Sequence, residues 1–198
     1  MTENYKATWT AFEQMDERDM DAINEYEKVF NAGLVDRLLE QFKLLDEGET
    51  PYPLNRYQHS LQSATLAYED GADEEVVVAA LLHDIGDVVA PWNHGEVAAA
   101  ILKPYVSEKT WWIVNHHCLF QGYYYNHLMG GDRFAREKYR DHPYYEDAVY
   151  FCHNYDQNAF DPKYEYKPLE FFEPMVRRVF SRSSGHLELA ERLDDEAA

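Results

Sequence analysis

The sequence predicts an all-α chain folded around a single core. Three observations support this: apolar residues recur every three or four positions, no alternating run of strand length stands out, and neither strand–helix alternation nor an internal repeat is present. A chain of 198 residues with 45% hydrophobic content is long enough for one sizeable core.

The elements follow in order. Residues 1–18 are a polar, unpatterned arm. From Asp19 to Asp46, the series Ile23, Tyr26, Val29, Phe30, Leu34, Leu38, Phe42 describes amphipathic helices, broken at Asn31–Gly33. Pro51 and Pro53 mark a loop, and a helix over Arg56–Glu69 ends at Asp70-Gly71. The stretch Glu74–Asp87, EEVVVAALLHDIGD, is apolar on every side from Val76 to Leu82. It predicts a buried central helix that stops near Gly86 and delivers His83 and Asp84 at its end.

A short helix over His94–Lys103 stops at Pro104. Ser107 caps the next, which runs through Trp111–Val114 to His116-His117. Residues 119–142, rich in Tyr, Gly and charge, predict a loop with a short helix at Arg133–Tyr139. Helices over Pro143–Asn158 and Leu169–Phe180 complete a domain of residues 19–180. The acidic stretch 181–198 predicts a flexible tail.

Charge narrows the function. Thirty-seven acidic against eighteen basic residues give a net charge of −19, which opposes binding to nucleic acid or an anionic membrane surface. No apolar run reaches the roughly eighteen residues of a membrane span. The opening MTENYKATWT lacks a signal-peptide pattern, so the expected location is cytoplasmic. Cys118 and Cys152 read as buried free thiols.

The candidate chemistry lies in polar donors at helix ends. His59 sits on the helix before the central one, and His83-Asp84 end the central helix. His94 opens the next, His117 ends the one after, and Asp156 lies near the end of the Pro143 helix. Converging, they offer four imidazoles and two carboxylates. That exceeds the need of one catalytic ion with open positions and suits two ions bridged by one carboxylate, most naturally Asp84.

His59, His83-Asp84 within LLHDIGD, and Asp156 together resemble the H…HD…D signature of the HD-domain superfamily, an all-helical bundle with its metal site at converging helix ends. His94 and His117 resemble the extra ligands of its dinuclear branch. The words QHSLQSA, GADEEVVVAALLHDIGD and WNHGEVAAAIL resemble the mixed-valent diiron oxygenases of the phosphonate oxygenase and myo-inositol oxygenase type.

The resemblance implies an oxygenase that uses two irons, Fe(II)/Fe(III), and O2 to oxidise or cleave a small hydroxylated substrate, a hydroxyalkylphosphonate or related compound. The alternative it leaves open is a phosphohydrolase acting on a nucleotide or phosphomonoester with another divalent metal such as Mn. Asp84 and His117 are the implied catalytic residues, and His117 is favoured over His116 by its spacing from Ser107-Glu108. His59, His83, Asp84 and a further donor would hold one ion, while Asp84, His94, His117 and Asp156 would share the other. Gln62, Gln121, His153 and His116 would face substrate, Tyr52 would serve as a lid, and Tyr123–Tyr125 would line the pocket.

The chain departs from this pattern in three places. His153 and Gln121 stand where the phosphonate oxygenase carries an Arg and a Lys, each worth about 1.5–3 kcal/mol as a charge-assisted hydrogen bond. The set Arg133, Arg136, Lys138, Arg140, Lys163 and Lys167 offers either compensation or a solvated face. Asp87 stands where many phosphohydrolases of the superfamily carry Lys.

Overall fold

The computed structural model describes residues 5–182, and these are helical with no strand. Of the tail expected over 181–198, residues 183–198 lie outside the described residues. The chain divides into two compact units, Met1–Glu40 and Gln41–Ala198.

In the first unit, α1 spans Glu17–Ala32. Asp16 and Asp19 form a reciprocal cap, each carboxylate accepting the other's backbone N–H at 3.0 Å. The helix stops at Gly33, inside the expected break, and α2, Leu34–Lys43, begins in this unit and ends in the second. Arg37 spans that break, its guanidinium 3.9 Å from the Phe30 ring centre and bonded at 2.8 Å to the Phe30 carbonyl.

The second unit is built around α4, Glu74–Leu82, whose residues Val77–Leu82 are all buried. Helices α3 (Arg56–Glu69), α6 (Glu108–Tyr125) and α8 (Leu169–Phe180) pack against it, and α5 (His94–Leu102) packs against α6. An element covered on several sides has no solvent face, which is why its apolar run shows no helical periodicity.

The bounds of α3 follow from its ends. Asn55 and Gln58 form a reciprocal cap at the start. At the close, the Ala72 N–H reaches the Ala67 carbonyl and the Gly71 N–H reaches that of Tyr68, both at 3.1 Å. Gly71 sits at φ 77°, the left-handed conformation this closure demands and glycine adopts without penalty.

Three elements differ from expectation. Helix α4 ends at Leu82, not near Gly86. Asp84 leaves the helical region at φ −100°, ψ 5°, and a tight 3₁₀ turn follows over Ile85–Val88. Helix α6 runs past His117 to Tyr125, so Tyr123–Tyr125 are helical and not part of a loop. The expected Pro143–Asn158 helix is a short α7, Tyr145–Phe151, followed by a π turn over Cys152–Asp156. Its signature is the Gln157 N–H bonded to the Cys152 carbonyl at 3.0 Å. The extra residue in that turn re-aims the side chains after Phe151, and Asp156 is the last of them.

Candidate metal centre

Six side chains from five elements meet beside the end of α4. His59 comes from α3, His83 and Asp84 from the end of α4, His94 from the start of α5, His117 from α6 and Asp156 from the π turn. His59, His83, His117 and Asp156 are buried, and Asp84 is nearly so.

The atoms fall into two sets that meet at Asp84. In the first, His59 Nε2 lies 3.2 Å from His83 Nε2 and 3.3 Å from Asp156 Oδ1, with Asp84 Oδ2 at 3.7 Å. In the second, His94 Nε2 and His117 Nε2 lie 3.3 and 3.4 Å from Asp84 Oδ1. The sequence groups Asp156 with His94 and His117, whereas the structure sets it beside His59 and His83. The turn that carries Asp156 packs on α3, and its side chain arrives from the α3 side.

The orientation of the imidazoles is held from behind. Nδ1 of His59, His83, His94 and His117 lies 3.1, 2.8, 3.1 and 2.7 Å from the carbonyls of Ala159, Ala80, Pro91 and Val114. A carbonyl only accepts, so each Nδ1 donates and each Nε2 points inward to meet a cation, whether proton or metal ion.

The electrostatics agree. Burial alone would raise the Asp84 carboxyl, but the charge of His83 and hydrogen bonds from His117 and His94 outweigh it and hold the group well below its usual range. Asp156 is held down against burial by hydrogen bonds from His59 and His83. His59, His94 and His117 are raised despite burial, by the Asp156 and Asp84 carboxylates and, at His117, first by Cys118. The cluster therefore attracts positive charge. Asp156 Oδ2 is buried without a protein partner, a costly state that a cation relieves. These residues fit a metal ion at each set.

The other expected site residues separate. Gln121 donates to Asp156 Oδ1 and so touches the cluster. His153 lies outside it, with Nδ1 3.0 Å from the Tyr124 hydroxyl. Tyr52 is exposed at the rim, its ring 5.9 Å from Phe160, which stacks on His59 at 4.5 Å. Gln62 is fully buried and ties α3 to the 161 loop, donating to the Asp161 carbonyl at 2.7 Å.

His116 turns away from the cluster. It stacks on Trp112 at 4.2 Å, meets Tyr139 edge-on, and burial lowers its pKa. Adjacent side chains leave a helix about 100° apart, and His116 leaves α6 on the side of Trp112 and Tyr139.

Cys118 is the residue the sequence reading placed elsewhere. It is half-buried, with Sγ 3.1 Å from His94 Nε2 and 3.4 Å from His117 Nε2. Burial would raise its thiol, but His117 and His94 bring it down to about 6. Its position next to His117 was the available signal. Gly95 makes the room, since a Cβ there would stand 2.9 Å from His117 Cε1 and 3.0 Å from Cys118 Sγ.

Arg136, one of the basic set, is buried at 8% exposure and not solvated. Its guanidinium lies 3.9 Å from the Tyr123 ring centre, and its Nε and Nη1 make no hydrogen bond, although Glu137 Oε1 stands 3.8 Å away. Asp87 is paired with Arg56 and lies 3.2 Å from His94 Nδ1.

The HD domain family model matches residues 56–151 and ends five positions before Asp156. The chain is similar to a 1-hydroxy-2-(trimethylamino)ethylphosphonate dioxygenase (glycine-betaine-forming) of Leisingera caerulea, at 29% identity over 133 residues. That match covers 58% of this chain and 65% of the relative, less than two thirds of its length. No helix among the described residues is long and apolar enough to cross a membrane. The all-helical fold, with a histidine–aspartate pair at the end of its central helix, is consistent with an HD-domain helical bundle, and residues 56–151 match the HD domain family model.

Proposed function

We propose that this protein is a dinuclear-iron oxygenase that uses dioxygen to oxidise a small hydroxylated substrate of the hydroxyalkylphosphonate class. The observation that carries the proposal is a pair of inward-facing donor sets meeting at one carboxylate, Asp84. In this reading His59, His83, Asp84 and Asp156 hold one ion, and Asp84, His94 and His117 hold the other. Asp84 bridges them. Bound iron would supply the redox chemistry of dioxygen and a seat for the substrate hydroxyl.

The chain's own groups have distinct tasks. The four backbone carbonyls keep each imidazole in the tautomer that presents Nε2. Gln121 orients Asp156 by donating to Oδ1. Phe160, stacked on His59, and Tyr52 beyond it cover one side and limit water entry. Arg136 supports an anionic substrate group: its buried Nε and Nη1 make no hydrogen bond, and it interacts with Tyr124, whose hydroxyl meets His153. That route stands in for the Arg and Lys replaced by His153 and Gln121.

The test is aerobic purification with iron supplied, followed by metal analysis, low-temperature electron paramagnetic resonance and oxygen uptake. The substrates are 1-hydroxyethylphosphonates bearing an amino or trimethylamino group at carbon 2. The expected result is two irons per chain, a coupled Fe(II)/Fe(III) signal that changes on adding substrate, and substrate-dependent oxygen consumption. Hydrolysis of phosphate esters with manganese and no oxygen uptake would overturn the oxygenase reading in favour of a phosphohydrolase.

A further inference from the structure

Cys118 occupies a place in the second donor set that a packing residue would not need. Its Sγ lies 3.1 and 3.4 Å from the Nε2 atoms of His94 and His117, and those two nitrogens lie 3.3 and 3.4 Å from Oδ1 of Asp84. Around a first-row ion, bonds of about 2.0–2.2 Å to nitrogen and oxygen and about 2.3 Å to sulfur place neighbouring ligand atoms about 3.0–3.6 Å apart. These four spacings fall in that range. His94, His117 and Cys118 also satisfy the mutual proximity of a metal-binding triad.

The surroundings favour a ligand over a spectator. Gly95 on the facing helix leaves room for Sγ, and a single methyl there would crowd both the sulfur and the His117 ring. Cys152, the other thiol, is fully buried, and its Sγ lies 3.6 Å from the His117 carbonyl, so it shares the neighbourhood but not the donor set.

We propose that Cys118 is a direct thiolate ligand of the ion held by His94, His117 and Asp84, making one half of the centre sulfur-ligated and the other purely nitrogen- and oxygen-ligated. This rests on the dinuclear reading above. A thiolate softens the second site relative to the first, so the two halves differ in metal preference and in redox character. The inequivalence is built into the ligands before any substrate arrives.

The test loads the full-length, metal-free protein with cobalt(II) and reads three things together: cobalt bound per chain, near-ultraviolet absorption, and the alkylation rate of Cys118 by iodoacetamide followed by peptide mass spectrometry. The expected result is two cobalt ions, a thiolate-to-cobalt charge-transfer band, and alkylation slowed at least tenfold on loading. Cys118→Ser should lose the band. The wild-type spectrum decides the matter even if that variant fails to fold. Two bound ions with no thiolate band would overturn the assignment of Cys118 and leave the dinuclear centre standing, whatever the alkylation rate. Failure to bind cobalt at all would overturn both.

Discussion

Gly95→Ala adds one methyl group where α5 closely approaches His117 and Cys118 of α6. In a free helix the change would stabilise by about 0.5–1 kcal/mol, because alanine loses less backbone freedom than glycine on folding. Here the new Cβ would stand 2.9 Å from Cε1 and 3.1 Å from Nδ1 of His117, and 3.0 Å from Cys118 Sγ. The His117 ring cannot swing aside cheaply. Its Nδ1 is bonded to the Val114 carbonyl at 2.7 Å and its face meets His83 with centroids 4.9 Å apart.

Overpacking of this kind costs about 1–3 kcal/mol, so set against the helix term it leaves a net destabilisation of about 0–2.5 kcal/mol. The methyl also pushes on two members of the second donor set and on none of the first. Urea unfolding of the metal-free variant, with metal analysis after equilibration in excess iron, reads both effects. The expected outcome is a modest loss of stability and a deficit of more than half of one equivalent. A variant more stable than wild type that still binds two full equivalents would refute this reasoning.

Two further predictions follow from the same contacts. His117→Ala should remove most of one metal equivalent while His116→Ala leaves the metal content unchanged, since only His117 presents Nε2 to Asp84; equal losses in the two variants would contradict the orientation described for α6. Glu75 accepts hydrogen bonds from the Ser107 hydroxyl at 2.5 Å, Thr110 Oγ1 at 2.6 Å and the Ser107 N–H at 3.1 Å, and these outweigh burial to hold its carboxyl below the ordinary 4.5. A depressed folded-state pKa contributes stability that is fully present above the unfolded value and lost as the pH falls through the folded one. Glu75→Gln should therefore cost about 1–2 kcal/mol at neutral pH and flatten the decline in stability below pH 4.5; a stability profile parallel to wild type in acid would show that Glu75 does not titrate as described.

What the sequence made legible follows from where its signals are local. Helices α3 and α8 begin and end where expected because caps, a Gly turn and flanking prolines mark their ends within a few residues. The end of α4 was not legible. Ile85 continues the apolar run, and nothing local shows that Asp84 leaves the helix. Helix α6 was cut short because Gly122 and three tyrosines have loop composition, yet Gly122 is buried within the helix against Asn126. The π turn that aims Asp156 has no composition cue at all.

The six polar residues that meet at the end of α4 were each visible as helix-end donors. Their division was not. Asp156 is 97 positions from His59 along the chain, and which set it joins depends on the path of the π turn. Cys118 reads as a buried free thiol, one of only two cysteines in unrelated contexts. Only the approach of α5 at Gly95 shows that its sulfur faces His94.

The most direct test of the two-ion centre is the iron content of Asp84→Ala beside wild type after equilibration in excess iron. Asp84 reaches both histidine sets, so its removal should take the protein from two equivalents to well under one. Retention of one full, tightly held equivalent by the variant would contradict the role of Asp84 as the shared ligand, and retention of two would contradict the centre as described.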